Sequence, residues 1–293
     1  MKLLITGATG FLGSQLLKEL VETNYEIVIL KRSFSDTTRI NKIIDRLIIY
    51  DIDKCNLGDI FNCHKINIVL HLATTYGRNG EQISEIVTNN LLFSLQLLEL
   101  SIKHKVSAFI NADTLQNKNV SNYTLSKKQF VEWGVVATKS DSINFTNLRI
   151  EHLFGPGDDD NKFIYWVINQ LISNAKEINL TSGHQKRDFI YIEDAVSAII
   201  TILSSPLKFG FSEFDIGTGL GTTVKDFVLL LKQNIQNKIN IDTKLNFGAI
   251  QVRENEPIEI IANNLKIKSL GWNPVYDVKS GIEKMINQIF TSK

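Results

Sequence analysis

The chain has 293 residues, of which 43% are hydrophobic and 22% are charged. This balance is typical of a globular protein that buries a core without disulfides or metals, and it excludes disordered, collagen-like and disulfide-scaffold proteins. The 32 basic and 31 acidic residues give a formal net charge of +1, so no global field attracts nucleic acid or an anionic membrane. We expect neither as a partner.

The cysteine content and the N-terminus bear on the compartment. Cys55 and Cys63 form neither a CxxC motif nor a Cys/His cluster, which indicates a reducing compartment and predicts no metal site. The first apolar run is too short for a signal peptide, and nowhere do about 18 uninterrupted apolar residues occur. The sequence therefore predicts a cytoplasmic protein.

Short apolar runs alternate with segments of helical periodicity through the first half of the chain. This alternation is typical of parallel strands joined by crossover helices, and it predicts a Rossmann-like doubly wound α/β sheet. The predicted strands cover 3–6, 26–30, 47–51, 68–73, 108–112 and 145–150. The predicted helices cover about 11–23, 56–64, 84–104 and 123–138.

A turn-rich stretch at 154–160 interrupts this alternation. We assign residues 1–155, with about 188–205, to a cofactor-binding Rossmann domain. Residues 156–187 and 206–293 form the predicted smaller, mixed α/β, substrate-binding region. The two regions are expected to pack together and leave a cleft that holds the active site.

Three glycines follow the first predicted strand and lead into an amphipathic helix. Backbone without Cβ can approach a pyrophosphate closely, and a helix N-terminus supplies free N–H groups and partial positive charge. A tight turn without a ligand is the alternative, but the position in a first strand-to-helix turn favours a dinucleotide. The predicted contacts in this turn are Gly7, Thr9, Gly10, Phe11, Leu12 and Gly13.

The second predicted strand runs into Lys31, Arg32 and Ser33, without the acid that commonly binds the adenosine ribose of NAD. Two cations and a hydroxyl suit a 2′-phosphate, which a carboxylate would repel. A solvated basic pair is the alternative. We predict NADPH as the cofactor and regard NAD as less favoured.

The sequence contains two Tyr-x-x-x-Lys pairs. Tyr50 and Lys54 end a predicted strand, where residues four apart are separated by about 13 Å and cannot cooperate. Tyr123 and Lys127 lie in a predicted helix, where residues four apart share a face at about 6 Å. The helical pair is the candidate catalytic pair, and an ordinary exposed tyrosine and lysine are the alternative.

The glycine spacing G-x-x-G-x-x-G and the helical Tyr-x-x-x-Lys pair resemble the short-chain dehydrogenase/reductase superfamily. Segments 68–73, 187–194 and 270–274 extend the resemblance to its extended branch, the NAD-dependent epimerase/dehydratase family, which acts on nucleotide-activated sugars. The resemblance implies that Thr114, at the end of the fifth strand, is a catalytic hydroxyl beside Tyr123 and Lys127. A simple turn hydroxyl is the alternative, because the loop between Thr114 and Tyr123 is short.

The resemblance implies further binding residues. Asp51 and Ile52 would lie near the adenine ring, while His71 is expected to be a core histidine rather than a base. The other implied cofactor contacts are Leu72, Ala73, Thr74, Asn90 and His152, together with Tyr123 and Lys127.

The family places arginines against the diphosphate of its substrate, at positions that match Arg187 and Arg253. A guanidinium suits this role because it can donate two hydrogen bonds to phosphate oxygens. Surface salt bridges are the alternative for these arginines. The resemblance also implies a homodimer formed through the helices near 84–104 and 123–138. The predicted substrate contacts are Thr75, Arg78, Lys162, Arg187 and Arg253.

Family membership does not choose between epimerase, dehydratase and reductase. Dehydratases of this branch carry an acidic pair after the catalytic threonine, where Leu115 and Gln116 stand here. Segments 76–78, 109–114, 151–157 and 185–189 resemble nucleotide-sugar 4-ketoreductases, whose deoxyhexoses enter surface polysaccharides such as lipopolysaccharide. We expect NADPH-dependent reduction of the 4-keto group of a nucleotide-activated (di)deoxy sugar. The alternatives are an NAD-dependent epimerase and a non-catalytic dinucleotide sensor of the same fold.

Overall fold

A computed structural model of the protein describes residues 1–139, 143–206, 210–252 and 256–291. Contacts between residues divide the chain into two compact units. The first comprises Met1–Arg149 and Ile202–Phe214, and the second comprises Ile150–Thr201 and Asp215–Lys293. The sequence predicts a division by ligand, in which residues 1–155 and about 188–205 bind the cofactor. The two compact units are defined by contacts and not by ligands, so this division stays a prediction.

The strands and helices are numbered here in chain order. The strands are β1 (Lys2–Thr6), β2 (Glu26–Lys31), β3 (Ile48–Asp51), β4 (Ile68–His71), β5 (Ala108–Thr114), β6 (Asn144–Ile150), β7 (His152–Phe154), β8 (Glu177–Leu180), β9 (Lys186–Arg187), β10 (Phe189–Tyr191), β11 (Phe211–Ile216), β12 (Thr222–Thr223), β13 (Lys244–Phe247) and β14 (Glu259–Ile260). The α-helices are α1 (Phe11–Leu20), α2 (Leu57–Cys63), α3 (Ile83–Val87), α4 (Phe93–Lys103), α5 (Asn122–Thr138), α6 (Phe163–Ile172), α7 (Ile192–Ser204), α8 (Val224–Gln236), α9 (Leu265–Lys268) and α10 (Val278–Thr291). Two 3₁₀ helices cover Thr38–Arg46 and Lys118–Val120, and a π-helical turn covers Thr88–Leu92.

Seven strands form one sheet in the order β11-β6-β5-β4-β1-β2-β3. The pairs β1–β2, β2–β3, β1–β4 and β4–β5 are parallel. From β1 the chain proceeds first towards β3 and then, through β4, towards the opposite edge. The carboxyl ends of β1 and β4 therefore flank a topological switch point, where such sheets bind ligands. The predicted Rossmann-like doubly wound α/β fold is confirmed.

Helix α5 is held against the sheet by a cluster of aromatic rings. Phe109 of β5 and Phe145 of β6 stack with their centroids 5.6 Å apart, and Phe130 of α5 meets both rings nearly edge-on at 5.7 Å. All three side chains are fully buried, which stabilises the fold by roughly 1.5–3 kcal/mol each. A Cβ at Gly134 would lie 2.4 Å from the Phe145 ring, so the helix approaches the sheet closely because this residue is glycine.

The N-terminus of α5 is fixed by a reciprocal cap. Ser121 Oγ accepts a hydrogen bond from the Thr124 N–H at 3.2 Å, and Thr124 Oγ1 accepts one from the Ser121 N–H at 2.9 Å. This arrangement satisfies two backbone donors at the start of the helix. It sets the position of Tyr123 in the first turn.

The predicted helix near 84–104 is interrupted by the π-helical turn between α3 and α4. Apolar periodicity does not reveal such a turn, because the extra residue adds only a local bulge and the apolar face continues on both sides. Asn90 lies inside the turn and is fully buried.

The second unit contains small sheets. Strand β10 pairs with β7, β13 pairs with β8, and β9 lies between β12 and β14. The buried carboxylate of Asp188 accepts hydrogen bonds from the backbone N–H groups of Thr218 and Gly219, each at 2.8 Å. These bonds join the end of β9 to the loop after β11.

Among the described residues, no helix combines the length and apolar character needed to span a membrane. Within the same ranges, no three His, Cys, Asp or Glu side chains converge in a way that would bind a metal ion.

Candidate active site

The glycine-rich turn forms a cradle of bare backbone after β1. Gly7 has φ of +69°, and a Cβ there would lie 2.6 Å from Ala73 N. A Cβ at Gly13 would lie 2.2 Å from the Gly7 carbonyl oxygen. Helix α1 begins at Phe11 with Gly10 as its N-cap, and no side chain caps it. The N–H groups and the partial positive charge of a helix N-terminus suit a pyrophosphate. Thr9 and Leu12, the other predicted contacts here, are partly buried in the same turn.

The segment after β4 lies against this cradle. Leu72 N donates to the Thr6 carbonyl at 3.2 Å, and Ala73 N donates to Thr6 Oγ1 at 3.2 Å. The structure thus brings Leu72 and Ala73 next to Gly7, at the switch point of the sheet. Both residues are predicted cofactor contacts.

His71 belongs to a buried chain of hydrogen bonds. Its Nδ1 lies 2.7 Å from Thr6 Oγ1 and its Nε2 lies 2.8 Å from Ser94 Oγ, which donates to the Asn90 carbonyl at 2.8 Å. Because the Ser94 hydroxyl donates to that carbonyl, it can only accept from His71. We therefore assign the imidazole proton to Nε2, with Nδ1 accepting from the Thr6 hydroxyl. Burial holds the pKa of His71 well below its usual value. His71 is a neutral, fully satisfied core histidine.

The side chain of Asn90 joins two parts of the site. Its Oδ1 accepts from the Thr75 N–H at 2.7 Å, and its Nδ2 donates to the Thr75 carbonyl at 2.8 Å and to Ser126 Oγ at 3.1 Å. Ser126 Oγ in turn donates to the Tyr123 carbonyl at 2.8 Å. Thr74 Oγ1 also reaches Asn90 Oδ1, at 3.5 Å. Asn90 therefore fixes the loop after β4 relative to the first turns of α5.

Tyr123 and Lys127 lie one helical turn apart on α5, and the lysine is only 1% exposed. Burial lowers the pKa of Lys127 to about 8, although the Asp113 carboxylate opposes the shift. Burial, Tyr76 and Asp113 raise the pKa of Tyr123 well above its usual value. At neutral pH the pair is a protonated phenol and an ammonium group.

Thr114 ends β5 and is 8% exposed, with its Oγ1 accepting from the Gln116 N–H at 3.2 Å. Its hydroxyl proton is available for donation. Lys128 Nζ donates to the Thr114 carbonyl and lies 2.6 Å from Asp113 Oδ2. The sequence reasoning missed Asp113 and Lys128. The only signals for them were an acid inside a buried strand and a second lysine directly after Lys127.

The ring of Tyr76 lies in contact with both Arg78 and Tyr123. The Arg78 guanidinium lies 4.9 Å from the Tyr76 ring centroid, and the Tyr76 and Tyr123 rings lie 5.0 Å apart. The positive charge of Arg78 opposes the upward shift of the Tyr123 pKa. Of the predicted substrate contacts, Arg78 and Thr75 are thereby placed next to the candidate catalytic helix.

The cationic end of β2 is partly neutralised by the neighbouring strand. Lys31 pairs in register with Asp51 of β3, and the Lys31 Nζ lies 2.5 Å from Asp51 Oδ1. Lys54 lies 3.7 Å from the other oxygen of that carboxylate, while Tyr50 is hydrogen-bonded to His64 at 2.8 Å, so the strand pair Tyr50–Lys54 does not act together. The prediction of NADPH rested on two cations, Lys31 and Arg32. The charge of Lys31 is neutralised by Asp51.

Ser33 and Arg32 have different surroundings. Ser33 donates to Asp53 through its N–H at 2.7 Å and through its hydroxyl at 2.6 Å. The exposed Arg32 guanidinium lies 4.8 Å from the Phe34 ring centroid. Arg32 is the cation at this strand end that is not committed to Asp51 or Asp53. Ile52, the neighbour of Asp51, donates its N–H to the Lys31 carbonyl at 2.8 Å.

Two predicted binding residues of the second unit have acidic partners. His152 Nδ1 lies 3.0 Å from Glu151 Oε2, and burial raises the pKa of Glu151. Lys162 Nζ lies 2.6 Å from Asp158 Oδ1. Both contacts are internal to the second unit.

Arg187 is 4% exposed. It donates to Glu256 Oε1 at 2.8 Å and to the Pro257 carbonyl at 2.9 Å. A phosphate at this position would compete with Glu256 for the guanidinium. Arg253, the other predicted diphosphate ligand, lies outside the described residues.

The residues present fit a dinucleotide. A bare-backbone cradle at a helix N-terminus suits a pyrophosphate, and the buried ammonium of Lys127, one turn after Tyr123, suits ribose hydroxyls. Together with the doubly wound sheet, these features define an NAD(P)-dependent oxidoreductase.

Comparison with known proteins gives the family. Residues 3–217 match the profile of the NAD dependent epimerase/dehydratase family, and the chain belongs to this family. It is 35% identical over 293 residues to the CDP-abequose synthase of Salmonella muenchen, covering 98% of this chain and 97% of that protein. It is 32% identical over 306 residues to the CDP-abequose synthase of Salmonella typhimurium, with the same coverage. The resemblance inferred from the sequence motifs is confirmed, and the chain is a nucleotide-sugar-modifying enzyme.

A solved structure supports the fold. The UDP-glucuronic acid 4-epimerase of Bacillus cereus, determined in complex with UDP-glucuronic acid and NAD, matches with a TM-score of 0.87. The two chains are 24% identical, and the match covers 100% of each.

Proposed function

We propose that the protein reduces the 4-keto group of a nucleotide-activated (di)deoxy sugar with NADPH, in the biosynthesis of deoxyhexoses for a surface polysaccharide. The observation that carries the proposal is that Tyr123 and the buried Lys127 lie one turn apart on one face of α5. The likeness to two CDP-abequose synthases supports a CDP-linked sugar as substrate.

When bound, NADPH supplies the hydride that reduces C4 of the sugar. The hydroxyls of Thr114 and Tyr123 donate hydrogen bonds to the carbonyl oxygen and stabilise the negative charge that develops there. Tyr123 then transfers its proton to that oxygen, which completes the alcohol. Lys127 stabilises the phenolate that remains, and it orients the cofactor by binding the nicotinamide ribose hydroxyls.

The protonation state of Tyr123 favours reduction. Reduction begins with a proton donor, whereas the oxidation that opens an epimerase cycle begins with a base. Burial, Tyr76 and Asp113 raise the pKa of Tyr123 above its usual value, so the phenol carries its proton at neutral pH in the protein without cofactor. Leu115 and Gln116 follow Thr114 and cannot exchange protons there, which disfavours dehydration.

The choice of NADPH rests on Arg32 and Ser33 at the end of β2. A guanidinium suits the 2′-phosphate, and the aromatic contact with Phe34 restricts its side chain. We keep Lys31, Asp51, Ile52, Thr74, Asn90 and His152 as further proposed cofactor residues. The proposed substrate contacts are Thr75, Arg78, Lys162, Arg187 and Arg253.

An NAD-dependent epimerase is the second candidate. The ion pair between Lys31 and Asp51 supports it, because the pair lowers the positive charge at β2 and places a carboxylate beside the expected ribose site. The NAD-bound epimerase of similar fold is consistent with this alternative.

We also propose a cytoplasmic homodimer. Helices α4 and α5, with the π-helical turn before α4, are the proposed contact surface. Exposed apolar side chains at Leu92, Trp133 and Val136 support it, since a monomer gains nothing by exposing them.

The test mixes the purified protein with NADPH or NADH and with CDP- and dTDP-linked 4-keto-6-deoxy sugars, while the absorbance of the reduced nicotinamide is followed. UDP-glucose and UDP-glucuronic acid without added cofactor test epimerisation in parallel. Stoichiometric oxidation of NADPH by a 4-keto sugar supports the proposal. Epimerisation by a protein that carries tightly bound NAD overturns it in favour of the second candidate, and cofactor binding without turnover indicates a sensor.

A further inference from the structure

A partly buried ion pair joins β5 to the first half of α5. The Asp113 side chain on β5 is 0% exposed, and its Oδ2 accepts a hydrogen bond from Lys128 Nζ at 2.6 Å. Asn147 Nδ2 on β6 donates to the same oxygen at 3.1 Å. Lys128 Nζ also donates to the carbonyl of Thr114. One ammonium group therefore connects α5 both to the last residue of β5 and to the side chain before it.

This pair is poorly explained as a source of stability. Removing two charges from water costs several kcal/mol per ion in general, and their attraction repays this cost only when every remaining polar atom is satisfied. Asp113 Oδ1 is buried and has no hydrogen-bond partner among the described residues. In general, replacement of a buried ion pair by apolar residues of similar volume is often neutral or stabilising.

We infer that Lys128 is a positioning residue that holds Thr114 in register with Tyr123 and Lys127, and that Asp113 orients it. This inference rests on the catalytic roles proposed above for those three residues. Thr114 belongs to the sheet, while Tyr123 and Lys127 belong to the helix. The hydroxyls of Thr114 and Tyr123 can act on the same carbonyl oxygen of the substrate only if the end of β5 and α5 keep a fixed spacing. Misplacement by about 1 Å costs on the order of 10²-fold in rate.

The charges of Asp113 and Lys128 also affect the pKa values of the candidate catalytic residues, which a purely structural role would leave unchanged. Lys127 faces Asp113 and Lys128, whose effects on its pKa are opposite. Tyr123 faces Asp113, Tyr76 and Arg78. Because Lys128 lowers the pKa of Lys127, removal of the Lys128 charge should raise the pKa of Lys127. Removal of the Asp113 charge should lower the pKa values of both Tyr123 and Lys127.

Beyond Asn147, the network continues to the pair of Glu213 and Arg149, whose charged groups lie 3.2 Å apart. This outer pair is not altered by the variants below.

The test compares Lys128→Met, Lys128→Arg and Asp113→Asn with the matched control Lys118→Met. Lys118 forms an exposed ion pair with Glu132 at 3.2 Å, near the same end of α5. We expect Lys128→Met to lower kcat by about tenfold or more with KM within about twofold. Lys128→Arg should restore most of the activity, because a guanidinium can also serve two acceptors. Lys118→Met should behave as wild type.

The pH dependence of kcat/KM provides the second measurement. The alkaline limb should move to higher pH in Lys128→Met and to lower pH in Asp113→Asn. The inference is overturned if Lys128→Met matches Lys118→Met in kcat, or if its loss of activity equals its loss of folded protein in thermal unfolding. Asp113→Asn preserves the shape of the side chain, so the opposite shift stays measurable if Lys128→Met folds poorly.

Failure of the proposed function gives a different result. If wild type reduces no 4-keto sugar, the phenolate absorbance of Tyr123, measured as the difference from Tyr123→Phe, titrates the site without substrate. A shift to lower pH for Asp113→Asn then supports the arrangement of charges, and an unchanged titration overturns it.

Discussion

Asn90 Nδ2 donates a hydrogen bond to Ser126 Oγ at 3.1 Å, and this contact joins the π-helical turn to α5 between Tyr123 and Lys127. The same side chain closes two hydrogen bonds with the backbone of Thr75. A single fully buried amide therefore sets the distance between the loop after β4 and the candidate catalytic pair.

Asn90→Ala should lower both stability and turnover. It leaves the Thr75 N–H and carbonyl unsatisfied in a buried site, which costs about 1–3 kcal/mol per group that finds no water. Asn89→Ala is the matched control, because Asn89 is only partly buried and makes a side-chain bond to Thr75 Oγ1 at 3.1 Å. Chemical denaturation and kcat should separate the two variants. Equal behaviour would contradict the role of Asn90 in joining the loop to α5.

Tyr123→Phe should cut kcat by about 10²-fold or more, because it removes the proposed proton donor and one proposed hydrogen bond to the carbonyl oxygen. Cofactor affinity should change little, since the ring and its contact with Tyr76 remain. Turnover under saturating cofactor, with cofactor binding measured by fluorescence, checks both statements. Unchanged turnover would remove Tyr123 from the mechanism.

Lys127→Met should abolish turnover yet stabilise the protein without cofactor. The pKa of Lys127 is about 8 in the folded protein and 10.5 for an ordinary lysine, so the unfolded chain binds this proton more tightly. The resulting penalty is fully present below pH 8 and disappears as the pH rises through 10.5. The variant should gain roughly 3 kcal/mol in free energy of unfolding at pH 7.

The gain of Lys127→Met over wild type should shrink between pH 8 and 10.5. Denaturant unfolding at several pH values measures it, with the exposed Lys103→Met as control. A gain that does not change over this pH range would show that Lys127 does not titrate as a buried lysine.

Arg32→Ser should lower kcat/KM for NADPH by about tenfold and leave the value for NADH unchanged, because a charge-assisted hydrogen bond to the 2′-phosphate is lost. Arg46→Ser is the control, since Arg46 is an exposed arginine paired with Glu22. Steady-state kinetics with both cofactors decides the point. An equal loss with both would argue against a phosphate contact at Arg32.

Much of the fold follows from local sequence. Alternation of apolar runs and helical periods is a property of neighbouring residues, and it predicted the central strands and most of the helices of the first unit. The glycine turn is local as well, because Gly7 requires a positive φ and Gly13 a close approach of backbone. The spacing of Tyr123 and Lys127 placed them on one helical face for the same reason.

The tertiary structure decided what depends on groups distant in sequence. Lys31 meets Asp51 only because β2 and β3 pair in register, and periodicity within one strand carries no information about its neighbour. Asp113 and Lys128 meet only because the packing of α5 on the sheet brings one residue of each within hydrogen-bonding distance. The sequence by itself therefore determined the class of cofactor and the helix that carries the candidate catalytic pair. Only tertiary packing decided which charges surround them, because electrostatic interactions act through space rather than along the chain.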